Sequence, residues 1–483
     1  MNRDEKYYDS HAQDVDLVII ASSEDNRELL RMLRSDYCWD SLHITDVYDS
    51  EVLNFVVRNS DDLGWLGYFV GKSTCLNSFT VDYLPEERER TNALFGGFSR
   101  NRSISELSIT TDIGVDNLID LGCFLRDNRR LDQLELRNVD LGIERAHTFA
   151  LGSTSITKLH FGDNNLGDDG FASIAAALSK QTQLERLSLR DNSLGATSCK
   201  ALEPMVSIFP RLSYLDLSYN IIDDTGLKAL VGGLSKSNSV EKLYLSGNRL
   251  ITVEGLRSFS TLFRSESCSL KSLILEEMNI GDDEAEVLAN GLTGNKSLRG
   301  IYFSTNTITA RGWSVFSRLL CDTSSISNTY LSNHTLEFIG DHRQWSEWDI
   351  NRYIKWNKGP QRHHLLPWYD RDRRIVPKPQ ISKILFCHRD LDLEPFFRYK
   401  LKFLPVVFGW LQRAEPFLDY QDPGIECRKL AAMYKFMRVM PQLVADGYWA
   451  HVLKVTVEKK RKLLLELDAL DETEKSARKR VKH

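Results

Sequence analysis

Four stretches between Ile156 and Leu250 repeat one pattern of apolar and polar positions. They read Ile156-Thr-Lys-Leu159-His-Phe161, Leu184-Glu-Arg-Leu187-Ser-Leu189, Leu212-Ser-Tyr-Leu215-Asp-Leu217 and Val240-Glu-Lys-Leu243-Tyr-Leu245. Each is followed by an Asn (Asn164, Asn192, Asn220, Asn248) and, two residues later, by an aliphatic side chain. Successive starts lie 28 residues apart. Within each stretch alternate side chains are apolar, which predicts a short strand with one face in a core. The Asn marks a turn, where its side-chain amide can satisfy backbone groups left unpaired. A helical period follows: after Gly170 come Phe171, Ile174 and Leu178, spaced as one helix face. Helices are about 10 Å wide and neighbouring strands about 4.8 Å apart. Stacked repeats of this kind must therefore curve, with the helices outside and a parallel sheet inside.

The template LxxLxLxxNxL extends in both directions. Trp39-Asp-Ser-Leu42-His-Ile44 fits it once, a longer irregular segment follows, and Leu76-Asn-Ser-Phe79-Thr-Val81 fits again. Further strands are predicted from Ile104 (Leu107, Ile109), Leu131 (Leu134, Leu136), Leu270 (Leu273, Leu275), Leu298 (Ile301, Phe303) and Ile326 (Leu331). The register drifts in places: Val139 and Met278 stand where Asn is expected, and the last unit has Thr329 and His334. Irregular end units are expected where a solenoid meets solvent or a cap.

Over residues 39–340 this period resembles the ribonuclease-inhibitor-type leucine-rich repeats. The resemblance implies an α/β horseshoe of 28-residue repeats with a parallel concave sheet and convex helices. Here it is followed by a helical C-terminal extension. Its repeats lack the dense cysteines of the founding inhibitor. The chain also ends Ala-Arg-Lys-Arg-Val-Lys-His, without the acidic tail typical of GTPase-activating members.

Outside the repeats, residues 1–16 are polar and are expected to fray, whereas Glu24 to Arg34 carries Leu29, Leu30 and Leu33 on one face, suited to capping the first repeat. The expected divisions are 1–37 (N-terminal flank and capping helix), 38–340 (solenoid), 341–383 (aromatic and Pro-rich cap and linker) and 384–483 (helical region with a basic tail). Glu394-Pro395 opens a helix lined by Phe397, Leu401, Leu404, Phe408 and Leu411, which Pro405 should kink. A second helix carries Leu430, Met433, Met437 and Met440, and a third runs from Val452 to Ala469. The landmarks Glu394-Pro395-Phe396-Phe397, Leu401, Pro405, Trp410, Arg428-Lys429-Leu430, Arg438, Met440 and Pro441 resemble the C-terminal extension of a large set of algal leucine-rich-repeat proteins. The segment Leu63-Gly-Trp-Leu-Gly-Tyr-Phe-Val-Gly-Lys-Ser73 resembles that set as well. The likeness implies architecture, not an activity.

Composition narrows the class. A net charge of -5 gives no general case for binding nucleic acid or an anionic membrane. The longest apolar run near the start, Leu17 to Ala21, is too short to span a bilayer, and the first residues lack a signal-peptide core. Eight cysteines are scattered with no CxxC, and Cys199, Cys268 and Cys321 fall singly in different repeats. The expectation is a reduced intracellular protein, cytoplasmic unless the basic tail directs nuclear import.

Gly71-Lys72-Ser73 invites a phosphate-loop reading, but the position five residues before Gly71 is Leu66 and a strand follows rather than a helix. Its register is that of a helix-to-strand turn, so no nucleotide is expected. Cys387, His388, Asp390, Asp392 and Glu394 have no recognised metal spacing, and acids just before a helix are ordinary capping partners. His363-His364 reads as solvated. Lys459-Lys-Arg-Lys462 and Arg478-Lys-Arg-Val-Lys482 read as a solvated helix face and tail. The Trp- and Arg-rich stretch 341–374 is better suited to sealing the end of the array than to stacking on RNA. No nucleophile and base pair off, so neither an enzyme nor a cofactor is expected.

What remains is the concave face. From Leu131 onward its solvent-facing template positions hold the acids Asp132, Glu135, Asp163, Glu185, Asp191, Asp216, Glu241, Glu276 and Glu277. They also hold the bases Arg137, Lys158, Arg186, Arg190, Lys242, Lys271 and Arg299. Such a balance suits a protein partner with mixed charges better than a polyanion. The fifth template position holds Tyr244, Ile274, Tyr302 and Tyr330 in consecutive repeats, with Tyr214 and Tyr219 beside them. These six residues are the candidate partner-binding surface, since Tyr is frequent at interaction hot spots. The expected function is a non-enzymatic scaffold or adaptor for a protein partner. The second reading is a regulator of a small GTPase. Oligomeric state is not legible.

Overall fold

The computed structural model describes residues 5–21, 23–37, 40–46, 54–57, 63–85, 88–142, 156–340, 348–358 and 379–388. The chain forms two compact units. One comprises Met1–Gly291 with Gly300–Ile308, the other Leu292–Arg299 with Thr309–His483.

The first unit opens with α1 (Glu5–His11), α2 (Leu17–Ile20) and α3 (Glu24–Arg34), followed by β1 (Ser41–Thr45), β2 (Asn54–Val56), α4 (Leu63–Lys72), β3 (Ser78–Val81) and α5 (Arg88–Phe98). The repeats continue with β4 (Glu106–Ile109), α6 (Gly114–Asp127), β5 (Gln133–Leu136) and β6 (Lys158–His160), and then alternate helix and strand: α7 (Gly167–Leu178), β7 (Arg186–Ser188), α8 (Ala196–Ile208), β8 (Tyr214–Asp216), α9 (Asp224–Leu234) and β9 (Lys242–Tyr244). The unit ends with α10 (Val253–Arg257), α11 (Phe259–Arg264), β10 (Ser272–Ile274), α12 (Asp282–Gly291) and β11 (Gly300–Tyr302).

These strands form one open parallel sheet in chain order from β11 to β3, then β1 and finally β2. The alternation is realised as expected: Leu184, Leu187 and Leu189, and Leu212, Leu215 and Leu217, are all buried. So are Phe171, Ile174 and Leu178 on the inner face of α7. Each such side chain contributes roughly 1.5–3 kcal/mol relative to exposure. The architecture is the α/β leucine-rich-repeat class.

The turn after each strand carries a second regularity. Asn138, Asp163, Asp191, Tyr219, Glu277 and Thr305, each on the residue before the Asn position, adopt left-handed backbone with φ between 54° and 58° except Asp191 at 52°. The following Asn then reaches backwards. Asn220 Nδ2 donates to the Leu189 and Leu217 carbonyls at 3.0 and 2.9 Å, and its Oδ1 accepts from the Asn192 and Leu194 N–H groups. Asn164, Asn192, Asn248 and Asn306 repeat this arrangement, so each Asn ties its own repeat to the one before. Where the sequence has Val139 and Met278, their N–H groups are taken by Asn164 and Asn306 of the next repeat.

The N-terminal end departs from expectation. Residues 5–11 are helical rather than frayed, and Tyr8 of α1 is buried against Trp65 and Tyr68 at centroid distances of 4.8 and 5.7 Å. Aromatic burial outweighs the polar composition of this segment. The irregular stretch between β1 and β3 holds β2, which pairs outside β1, and α4. The glycines of α4 let it press against α5: a Cβ on Gly67 would lie 2.3 Å from the Leu94 carbonyl oxygen, and one on Gly97 would lie 2.3 Å from Gly67 C. The same packing accounts for Gly71 of the Gly71-Lys72-Ser73 motif, where a Cβ would lie 2.2 Å from the Gly97 carbonyl oxygen. The capping helix forms as expected, with Leu29, Leu30 and Leu33 buried.

The second unit contains α13 (Ala310–Leu320), α14 (Ile326–Leu331), β12 (Phe338–Ile339), α15 (Trp348–Lys358) and α16 (Pro379–Cys387). Here the expected strand from Ile326 is overturned. Ser325 caps a helix by accepting the Asn328 N–H, and the strand comes later, at Phe338–Ile339. The signal was an Asn before the strand: Asn333 Oδ1 accepts from the Thr335 and Leu336 N–H groups, as Asn295 does for Ser297 and Leu298. Helix α16 runs through the boundary expected after residue 383. The helices expected over 394–469, His363-His364, both basic clusters and the acids from Asp390 to Glu394 lie outside the described residues. Among the described residues, no helix is long and apolar enough to cross a membrane.

Candidate interaction surface

The open face of the first unit's sheet is built from the polar positions that flank each buried leucine. Parallel register places Tyr214 beside Arg186 and Lys242, and Tyr244 beside Asp216 and Ile274. The Tyr214 and Tyr244 rings meet at 4.8 Å between centroids, tilted by 38°. The Arg186 guanidinium sits 5.4 Å over the Tyr214 ring. Burial and the nearby Asp216 carboxylate push both phenols above the usual tyrosine range. Both rings remain protonated and act as apolar bodies with a hydroxyl handle.

Tyr219 is held from several sides. Its backbone is left-handed, with φ of 55°, a region few bulky residues adopt. The Arg190 guanidinium lies 4.1 Å over its ring, and its hydroxyl donates to Glu277 Oε1 at 2.8 Å, two repeats away. That hydrogen bond, then burial, raises its pKa, while Arg190 works in the opposite sense.

The remaining candidates divide. Tyr302 is half-buried, and a Cβ on Gly300 would come within 3.1 Å of its ring, so Gly300 makes room for it. Ile274 is only 7% exposed; it fills the sheet between Tyr244 and Tyr302 and presents little surface of its own. Tyr330 leaves the ladder altogether. It lies on helix α14, 50% exposed, not on a strand following Tyr302. The strand template was matched there to a segment that capping by Ser325 makes helical.

Some of the charges on this face pair with a neighbour. Arg137 reaches Asp163 at 3.0 Å and Glu135 at 3.8 Å, Lys271 pairs with Glu241, and Arg249 lies 3.8 Å from Glu277. Exposed pairs of this kind contribute at most about 1 kcal/mol each and chiefly set orientation. His160 lies on the same face. Burial lowers its pKa, against the pull of Glu135 and Asp216. The ring-over-Arg contacts escaped sequence reasoning. Their signal was an Arg in one repeat followed by a Tyr at the same or the next template position of the following repeat.

Lys72 ends α4 and pairs with Asp9 at 3.3 Å. His388 Nε2 donates to Thr329 Oγ1 at 2.8 Å, since that hydroxyl spends its own proton on the Asp322 carbonyl. Cys387 lies beside Cys321. No group of three or more potential metal ligands occurs among the described residues.

A leucine-rich-repeat family model matches residues 152–175, 211–231 and 236–260. The human NACHT, LRR and PYD domains-containing protein 5 is 33% identical over 85 residues, which cover 18% of this chain and 7% of that protein. The match thus spans less than a tenth of that relative's length. Among solved structures, an internalin (inlF) from Listeria monocytogenes is 17% identical over 62% of this chain and 95% of its own, with a TM-score of 0.29. The leucine-rich repeat-containing protein LegL7 from Legionella pneumophila is 17% identical over 50% of this chain and 89% of its own, with a TM-score of 0.27. The family match and the register together establish that the chain carries leucine-rich repeats.

Proposed function

We propose that this protein is a non-enzymatic intracellular scaffold or adaptor that binds a protein partner on the open face of its sheet. The 28-residue period and the helix that follows each strand from β6 to β9 support placing its repeats with the ribonuclease-inhibitor type. The observation that carries the reading is the ordered group of Tyr214, Tyr219 and Tyr244. Two rings meet at a tilt, two carry an Arg over the ring, and one is anchored to Glu277. Aromatic side chains already fixed in the free protein lose little freedom on binding, which suits an interaction hot spot. The surrounding acids and bases, some of them paired laterally, favour a partner whose own charges are mixed.

The test is affinity capture on the full chain followed by mass spectrometry, repeated with two double variants. Tyr244→Ala with Tyr302→Ala should weaken capture of a partner by about 2 kcal/mol, roughly thirtyfold, with the fold intact. Lys228→Ala with Lys236→Ala, both exposed on or just after helix α9, should leave it unchanged. Equal capture by all three proteins would remove the open face as the interaction site.

A further inference from the structure

The second unit buries a cluster that the scaffold reading does not use. Cys321, which follows the last turn of α13, is 4% exposed. Its Sγ lies 3.5 Å from Cys387 Sγ at the end of α16, although 66 residues separate them in the chain. One turn earlier on α16, Lys383 is wholly buried, and its Nζ donates to the Leu320 carbonyl at 2.6 Å. It also donates to the Asn333 carbonyl at 3.3 Å, Asn357 Oδ1 at 2.9 Å and His334 Nδ1 at 3.1 Å. Two adjacent residues, Leu320 and Cys321, are thus met by two residues one turn apart on α16, Lys383 and Cys387. The lysine fixes the helix so that the two sulfurs face each other. A half-exposed Cys387 and a covered Cys321 are unequal in access.

We propose that Cys321 and Cys387 form a covalent modification site, a thiol pair that hydroperoxides convert reversibly to a disulfide. Cys387, the more accessible thiol, attacks one oxygen of the hydroperoxide as its thiolate. The O–O bond breaks, and the leaving oxygen takes up the Cys387 proton as water or an alcohol. This leaves a sulfenic acid on Cys387. Cys321 Sγ then attacks Cys387 Sγ, the S–O bond breaks, and the departing hydroxide takes the Cys321 proton as a second water. In total two thiols lose two protons and two electrons, and the peroxide is reduced. The environment divides the roles in the same way. The hydrogen bond from Cys321 lowers the Cys387 pKa to about 7 against the opposing effect of burial, with Tyr353 and Lys383 adding to the lowering. Cys321 is pushed up, first by that same hydrogen bond and then by burial, so it keeps its proton until the second step. The buried Cys199, by contrast, is raised to about 12 by burial and is inert. The product would clamp α16 to the end of α13.

The experiment treats the reduced full-length protein with hydrogen peroxide, blocks remaining thiols after unfolding, and maps peptides without reductant. The expected result is one crosslinked peptide pair joining Cys321 to Cys387, released by dithiothreitol, with Cys199 and Cys268 blocked as free thiols. The Cys321→Ser protein should lose the crosslink and instead hold a sulfenic acid on Cys387 that dimedone traps. If this variant does not fold, the wild-type map decides alone. Cys387 found as sulfinic acid beside an unreacted Cys321, or both thiols intact after Cys75 and Cys123 have oxidised, overturns the proposal.

Discussion

The ring of Tyr219 occupies the space that a side chain on Gly247 would need: a Cβ built on Gly247 lies 2.7 Å from Tyr219 Cδ1. Gly247 stands at the template position that is left-handed in neighbouring repeats, with φ of 75°. Two costs therefore fall on Gly247→Ala, the left-handed backbone and the clash. The expected loss is about 2–3 kcal/mol. In a Tyr219→Ala background the clash disappears and the loss should drop to about 1 kcal/mol. Denaturant unfolding of the four proteins in a double-mutant cycle measures the coupling. An equal cost in both backgrounds would show that the ring is not held over Gly247.

A second prediction concerns the asparagines. Asn220 is buried and bonds the Leu189 and Leu217 carbonyls and the Asn192 and Leu194 N–H groups. Asn220→Ala leaves the Leu189 carbonyl and the Asn192 and Leu194 N–H groups of the preceding repeat unpaired, each costing about 1–3 kcal/mol, while Asn248 still bonds the Leu217 carbonyl. The unfolding free energy should fall by about 3 kcal/mol or more. A loss below about 1 kcal/mol would mean that water or the backbone takes over these bonds.

The strands and helices of the repeats from Leu184 to Leu245 could be read from the sequence because every local signal there agrees. Alternation, the Asn, and the helix face all point to the same register. Tyr330 was misplaced because Ile326 to Leu331 satisfies the spacing of apolar residues while Ser325 caps a helix, and spacing alone does not see the cap. Asn333, one helix later, carried the register signal. Lys383 was invisible for a different reason. A lysine in a short apolar helix reads as a solvated charge, and only the fold brings Leu320, Asn333, His334 and Asn357 around it.

That cluster fixes a pH dependence. His334 Nε2 faces the Tyr330 carbonyl at 3.1 Å and must carry the proton, so the bare Nδ1 accepts from Lys383. Burial and the Lys383 charge hold the His334 pKa at about 3. Between about pH 3 and 6.5 the unfolded chain binds a proton on His334 that the folded chain refuses. Stability therefore falls as pH drops through that window. Lys383 is held by burial at about 7, against the pull of Cys321 and Cys387. Between about pH 7 and 10.5 the unfolded lysine is charged and the folded one is not, so stability rises with pH there too. Hydrogen exchange of the α13 amides, corrected for intrinsic rates, reads both windows. His334→Gln should flatten the acid window and Lys383→Met the alkaline one. An unchanged pH profile in both variants would contradict the assignment.

The last prediction concerns the free edge of the sheet. Among the described residues strand β2 is the outermost strand of the sheet in the first unit, and an unpaired edge invites another chain to pair with it. Asn26 stands where the next strand would be: its Nδ2 donates to the Val56 carbonyl at 2.8 Å, and its Oδ1 accepts the Val56 N–H at 3.1 Å. The Ser23 hydroxyl accepts the Asn26 N–H and so fixes the start of the helix that carries this amide. Leu29, Leu30 and Leu33 of the same helix are buried, so apolar packing should keep the helix in place when the amide is lost. Asn26→Ala should therefore leave the fold standing at a cost of about 2 kcal/mol and open the edge locally. The Val56 amide should lose its hydrogen-exchange protection while the Leu215 and Leu243 amides keep theirs. The apparent molar mass from light scattering should rise with protein concentration in the variant and stay constant in the wild type. Unchanged exchange at Val56 would show that the amide does not serve as the missing strand.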